Sequence, residues 1–279
     1  MLSYRHSYHA GNYADVLKHL VQVAILDYLL QKESPLCYHD THAGAGLYSS
    51  SSEQALKTAE YEDGIAKIWH SDSESALIQR YLTLIRSLNP EQQLQFYPGS
   101  PKIAALMLRA TDTIQATELH PSDFPILQSQ FSHRRFSRIE NIDAFTGLKA
   151  MLPPLNKRGL VLIDPPYELY TEYQDVIKGV TEAYRRFPQG CYAIWYPVIE
   201  RDAIEAFING LVRTGIKKQL RIEFCRSADC KGFGMTGSGM LVINPPYTLS
   251  ALFEQTLPEL QRLLGQDGCH WQVSQLVGE

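Results

Sequence analysis

Gly159-Leu160-Val161-Leu162-Ile163-Asp164-Pro165-Pro166-Tyr167 decides the reading of this chain. An uninterrupted apolar run that ends in an acid, two prolines and an aromatic reads as a buried strand delivering a rigid polar turn. The proline rings fix φ and bias the residue before each of them to extended geometry, so the carboxylate and a turn carbonyl converge on one point without an ordering cost. Two acceptors held this way suit an exocyclic amine such as adenine N6, whose lone pair is delocalised into its ring until its N–H groups are engaged. Tyr167 is expected to stack on a base drawn out of its own stack into a pocket. Asn244-Pro245-Pro246-Tyr247, following Met240-Leu241-Val242-Ile243, repeats the pattern, so position in the fold must choose between the two copies.

Upstream, Leu36-Cys37-Tyr38-His39 reads as a strand leading into the small-residue turn Asp40-Thr41-His42-Ala43-Gly44-Ala45-Gly46, where the backbone can approach a ligand. A dinucleotide-type fold asks for a second strand ending in an acid about 20 residues later, and none stands there. Ser52 to Leu88 instead has helical spacing in Ile65, Ile68 and Trp69 and again in Leu77, Ile78, Tyr81 and Leu82, which predicts two or three helices. After Tyr97-Pro98-Gly99-Ser100-Pro101 the alternation resumes with a helix over 103–109 and a strand over 113–118 that ends in Glu118. The reading is therefore a methyltransferase-like domain of residues 1–49 and 97–279 interrupted by an inserted helical subdomain, residues 50–96. Glu118 becomes the candidate ligand of ribose hydroxyls.

A third strand over 136–141 precedes Asp143, which either serves the site or caps the helix predicted over 145–152. Beyond the Asp-Pro-Pro-Tyr come a helix over 171–187, a strand over 191–196, a helix over 202–212, a strand over 219–225 and a final strand over 240–243. Alternation of this kind predicts an α/β, Rossmann-like, mostly parallel sheet with ligands at the carboxyl ends of its strands. The last strand should run antiparallel to its neighbour, which puts Asn244 at the opposite edge and favours Asp164.

The chain has 279 residues and a formal net charge of −4, with a sequence pI near 6.1, so its overall field does not hold polyanions. Basic clusters do occur at His133-Arg134-Arg135 with Arg138, at Lys157-Arg158, at Arg185-Arg186 and at Lys217-Lys218 with Arg221. Only a shared face would turn them into a nucleic-acid footprint. No stretch approaches the roughly 18 apolar residues of a membrane span, and the start lacks the apolar core of a signal peptide, so a cytoplasmic protein is expected. Five cysteines, an odd number without CxxC pairs, point to reduced thiols and to chemistry that needs no metal.

Taken together, Tyr4-Arg5-His6-Ser7-Tyr8-His9-Ala10-Gly11-Asn12-Tyr13-Ala14-Asp15-Val16-Leu17-Lys18-His19, the turn at residues 40–46, Tyr97-Pro98-Gly99-Ser100-Pro101, Glu118-Leu119-His120-Pro121 and the Asp-Pro-Pro-Tyr resemble the ribosomal RNA large subunit methyltransferase J family over nearly the whole chain. The resemblance implies an S-adenosylmethionine-dependent enzyme that methylates N6 of one adenine in 23S ribosomal RNA. It further implies that His19, His42, Ser100, Glu118, Asp143, Ala144 and Asp164 contact the cofactor, that Asp164 accepts the proton and that Tyr4 meets the RNA. The family commonly has glycine where this chain has Ala144. Lys18, Pro165, Pro166 and Tyr167 complete the candidate substrate-binding set, and the tail before about Gly11 is expected to be mobile without ligand and to close over cofactor and RNA. No obligate protein partner is evident. The competing readings are a DNA amino-methyltransferase, a noncatalytic RNA-binding or assembly protein, and a nicotinamide-dependent oxidoreductase. The last fits poorly, because the glycine turn departs from GxGxxG.

Overall fold

The computed structural model describes residues 5–230 and 234–279. After a 3-10 turn at His6–Tyr8, helix α1 (Tyr13–Leu30) leads to strand β1 (Cys37–Asp40). The segment that follows holds β2 (Leu47–Ser49), α2 (Glu53–Thr58), a 3-10 turn at Glu60–Asp63, α3 (Ile65–Trp69), α4 (Ala76–Arg86) and β3 (Phe96–Pro98). Then α5 (Ser100–Met107), β4 (Thr113–Thr117), α6 (Asp123–Phe131), β5 (Ser137–Glu140), α7 (Ala144–Met151) and β6 (Gly159–Ile163) alternate. The chain closes with α8 (Glu172–Arg186), β7 (Cys191–Val198), α9 (Arg201–Val212), β8 (Gln219–Cys225), β9 (Gly237–Ile243), α10 (Leu249–Leu264) and β10 (His270–Val277).

Eight strands form one sheet in the order β10-β8-β9-β7-β6-β1-β4-β5, and β2 pairs with β3 in a separate ribbon. From β5 to β7 all neighbours are parallel, whereas β9 runs antiparallel to both β7 and β8. The chain leaves β1 for β4 and β5 on one side and then returns to β6 on the other. This makes the β1/β6 boundary the switch point at which open α/β sheets open a crevice. Central β6 is buried along its whole length, as its unbroken apolar run requires.

Helix α1 begins on a reciprocal cap. The Asn12 side chain accepts the Asp15 N–H at 2.9 Å, and Asp15 reaches back to the Gly11 N–H at 2.9 Å. The helix is buried on every side from Tyr13 to Leu26, because the sheet lies on one face while α4, α5 and α10 cover the others. Residues 50–96 thus share their apolar core with the sheet. Gly11, at φ +86°, sits where Ile65 presses in; a Cβ there would stand 2.9 Å from the Ile65 methyl.

Three departures from the sequence reading have physical causes. The helix expected over 103–109 starts three residues earlier, because Pro101 fits a first turn that needs no N–H. The strand ending at Ile243 is not final: α10 and the edge strand β10 follow it. In α10, Pro258 interrupts an otherwise plain amphipathic pattern, and the half-exposed β10 shows no clean alternation. Asn244 does fall at the far edge, where its amide donates to the carbonyls of Pro188 and Gly190 at 2.8 Å each.

Burial pushes the imidazoles of His19 and His39 down to about 3 and about 4, respectively. Between pH 4 and 6.5 the unfolded chain therefore binds protons that the native state refuses, so each histidine withdraws stability as pH falls, at most about 1.4 kcal/mol per pH unit. His39→Gln should flatten the dependence of unfolding free energy on pH by about one proton between pH 6 and 5. Denaturant titrations at the two pH values measure it, and an unchanged slope would mean that His39 is protonated in the native state.

Candidate active site

The carboxyl edge of the sheet collects the acids that end successive strands: Asp40 after β1, Glu118 after β4, Asp143 after β5 and Asp164 after β6. Around them lies a cavity of about 340 Å³ whose walls include His42, Glu118, Asp143, Ala144, Asp164 and Pro165. The Glu118 carboxylate accepts the N–H of Gly44 and the N–H of His120, each at 2.7 Å, and so ties the β1 turn to the β4 end. Burial raises its pKa against the lowering effect of those two bonds. Asp143 caps α7, accepting the N–H of Phe145 and of Thr146 at 3.0 Å, and still faces the cavity, so both roles considered for it are compatible. Burial lowers the His42 imidazole to about 4, which leaves it neutral at pH 7.

A second cavity of about 240 Å³ adjoins the first, and Asp164, Pro166 and His6 line both. Its other walls come from Asn12, Asp15, Lys18, Trp195 and Pro197. Lys18 is 3% exposed. Its ammonium sits 2.5 Å from Asp164 Oδ2 and 2.7 Å from Asp15 Oδ1. Burial disfavours the Lys18 charge, but the two carboxylates outweigh it and raise its pKa. Burial likewise disfavours the Asp15 carboxylate, yet His6 and Lys18 hold it well below the usual range. Asp164 Oδ1 has no partner among the described residues, and it remains the carboxylate oxygen free to meet a substrate.

The sequence assigned Lys18 to the substrate. It does line the base-side cavity, but its charge is committed to Asp15 and Asp164 rather than offered to phosphate. Tyr167 departs further. At φ +51° the chain turns its ring inward, where it lies 4.5 Å from the Tyr173 ring and donates to the Trp195 carbonyl at 2.7 Å. It lines neither cavity, whereas Trp195 and Pro197 do line the smaller one. Ser100 and His19 are also set back. Ser100 donates to Asp40 at 2.7 Å, and His19 Nδ1 meets the Tyr97 hydroxyl at 2.8 Å while its Nε2 is buried without a hydrogen-bond partner. Tyr4 lies outside the described residues.

The tail is seated rather than loose from Arg5 onward. Arg5 bonds Asp123 at 2.8 Å on one wall of the larger cavity, and His6 bonds Asp15 at 2.9 Å on the other side. The sequence reading missed Asp15, although Asn12, Asp15 and Lys18 recur at the three-residue spacing of one helix face. Trp195 and Pro197 carried no signal beyond the strand they end. Among the described residues, Cys225, Asp229 and His270 bring metal-ligand atoms together. They line neither cavity, and the Arg201 guanidinium already donates to Cys225 and Asp229 there.

Comparison with known proteins agrees with this geometry. The family model described as ribosomal RNA large subunit methyltransferase D, RlmJ, matches residues 33–277. Two curated proteins named ribosomal RNA large subunit methyltransferase J are similar over 100% of both chains, that of Escherichia coli K12 at 51% identity and that of Haemophilus influenzae Rd at 47%. The crystal structure of protein LPL1258 from Legionella pneumophila aligns with a TM-score of 0.88 at 34% identity, covering 96% of this chain and 98% of that one. A probable spermidine synthase from Corynebacterium glutamicum, at 11% identity and a TM-score of 0.50 over 96% and 77% of the two chains, shares the fold alone. Family match, full-length relatives and a strand-end acid cluster at the switch point lead to one conclusion: the chain belongs to the ribosomal RNA large subunit methyltransferase J family.

Proposed function

We propose that the protein transfers methyl from S-adenosylmethionine to N6 of an adenine in 23S ribosomal RNA, with the methyl donor in the larger cavity and the flipped base in the smaller one. The observation that carries this reading is that Asp164 and Pro166 form the wall common to both cavities. Methyl and nucleophile would meet there in line. The donor, when bound, supplies a methyl already activated by a positive sulfur, so the chain has to supply placement and a destination for one proton.

The residues present fit that donor. Glu118 offers its remaining lone pairs to ribose hydroxyls, and backbone N–H groups near Asp143 and Ala144 suit the edge of an adenine ring. Acidic side chains at Asp123, Glu168, Glu172 and Asp175 favour a cationic ligand. On the base side, Lys18 fixes one oxygen of Asp164, and the other oxygen with the Pro165 carbonyl is left for the two N–H groups of the amine. On N–C bond formation the donor would keep the electron pair of the broken C–S bond, and Asp164 would take the proton that the amine sheds, directly or through water. Trp195 and Pro197, in place of Tyr167, supply the apolar faces on which the base rests. Pro165 and Pro166 keep the turn stiff, and Tyr167 anchors it from inside the core. The reading carries a cytosolic setting with it, and no helix among the described residues is long and apolar enough to cross a membrane.

Asp164→Ala should keep the fold and most donor affinity while losing at least about a hundredfold in methyl transfer, the usual worth of a positioned acid–base group. Incorporation of labelled methyl into 23S rRNA measures it, and near-normal turnover would remove Asp164 from the mechanism. Asn244→Ala is the matched control. It should cost about 1–2 kcal/mol of stability, from lost hydrogen bonds and from alanine at φ +52°, and leave turnover near that of the parent.

Glu118→Gln should weaken S-adenosylmethionine binding by about tenfold, because a charged acceptor of two hydroxyls becomes a neutral one. Calorimetric titration with the donor tests this. An unchanged dissociation constant in a folded variant would make Glu118 a tie between β1 and β4 and nothing more.

A further inference from the structure

Apart from Arg221, which is buried in β8 against Glu223 and Glu205, the basic clusters that are scattered in the sequence come together at the amino edge of the sheet, opposite Asp164. Hydrogen bonds across that edge join them. Cys37 N–H donates to the Arg158 carbonyl, Gln189 bonds the Lys157 carbonyl, Arg186 bonds the Lys149 carbonyl and Asn244 N–H donates to the Lys218 carbonyl. Arg134 bonds the Arg109 carbonyl, which extends the same edge past β4. Lys149, Arg185 and Arg186 occupy the last turns or ends of α7 and α8, where helix dipoles favour cations. No such reason applies to Lys157 and Lys217, which are exposed and form no ion pair among the described residues. Arg135, also exposed, lies over the Phe136 ring at 5.2 Å.

Aromatic rings stand among these cations. Tyr247 is 84% exposed, and its ring meets that of Tyr28 edge-on at 5.7 Å. The two flank a groove of about 520 Å³ that also includes the second Pro-Pro turn and Lys218, whose ammonium pairs with the terminal Glu279 at 2.7 Å and would exchange that partner for a phosphate. Cations interleaved with exposed aromatics are the chemistry that tracks phosphates and stacks unpaired bases. Carboxylates, in contrast, line the cavities at the opposite edge.

We propose that this basal edge, centred on Lys157, Lys217, Lys218 and Tyr247, is a second RNA-docking surface that holds a part of the ribosomal RNA away from the target adenine. The inference rests on the proposed RNA substrate. Strands of four to eight residues separate the two edges by roughly 13–26 Å, a span that a folded RNA covers but a hairpin of only a few base pairs does not.

The test compares the parent with Lys157→Glu/Lys217→Glu and with Tyr247→Ala. Binding to full 23S rRNA and to a hairpin carrying the methylated adenine is measured over a range of salt, alongside methyl transfer at saturating RNA. For the double variant, affinity for the full RNA should fall about tenfold and the slope of log K against log salt by about one per lysine. Hairpin binding and the saturated rate should hold. Tyr247→Ala should weaken full-RNA binding without changing the salt slope. Full-RNA affinity and slope equal to those of the parent, or an equal loss on the hairpin, would overturn the surface. A parent protein that binds full RNA through this edge yet transfers no methyl would sustain the surface and overturn the proposed activity instead.

Discussion

A lysine ammonium buried between two carboxylates holds the site in register. Lys18 comes from α1, Asp15 from the turn below it on the same helix, and Asp164 from the end of β6, so one charge fixes a helix against the central strand. Removing the ammonium from such a cluster costs about 3–5 kcal/mol, since the two carboxylates left behind cannot both reach water, whereas loss of Asp164 costs less because Lys18 keeps Asp15. The N-terminal segment depends on the same cluster, because the His6 ring and the Gly11 N–H both bond Asp15.

The parts of the fold that were legible in the sequence are those written in local pattern. Apolar runs ending in an acid gave β1, β4 and β6, and the polar helical spacing of residues 52–88 matches α2, α3 and α4. The antiparallel placement of β9, expected from the form of a methyltransferase-like sheet, agrees with the observed pairing and puts Asn244 at the far edge. What stayed illegible depends on long-range placement. The inward turn of Tyr167 follows from a positive φ that no tyrosine announces, and whether Lys18 faces solvent or carboxylates is decided by residue 164, far along the chain. The edge strand β10 is half-exposed on a mixed sequence, so neither alternation nor a buried run marks it. The common edge shared by the basic clusters could be seen only once the strands were ordered.

Net charge hides this arrangement. A chain at −4 looks unsuited to nucleic acid, yet acids line the carboxyl edge of the sheet and cations line the amino edge, so the molecule carries a dipole rather than a uniform field. Orientation, more than affinity, is what such a distribution supplies to an approaching polyanion.

The contact between the start of α1 and residues 60–65 has an evolutionary corollary. Gly11 and Gly64 meet nearly backbone to backbone: a Cβ on Gly64 would fall 2.1 Å from the Gly11 carbonyl oxygen, and the Ile65 N–H donates to that same carbonyl. Glycine has no smaller neighbour, so neither position can relax to accommodate the other. Drift is frozen at this seam, while the exposed turn at residues 90–93 is free to lengthen or shorten. Related chains should therefore differ in the size of the inserted helices at their outer turns and agree at the seam. A shortened chain without the helices would bare the apolar outer face of α1 and lose the shape of the base-side cavity with it.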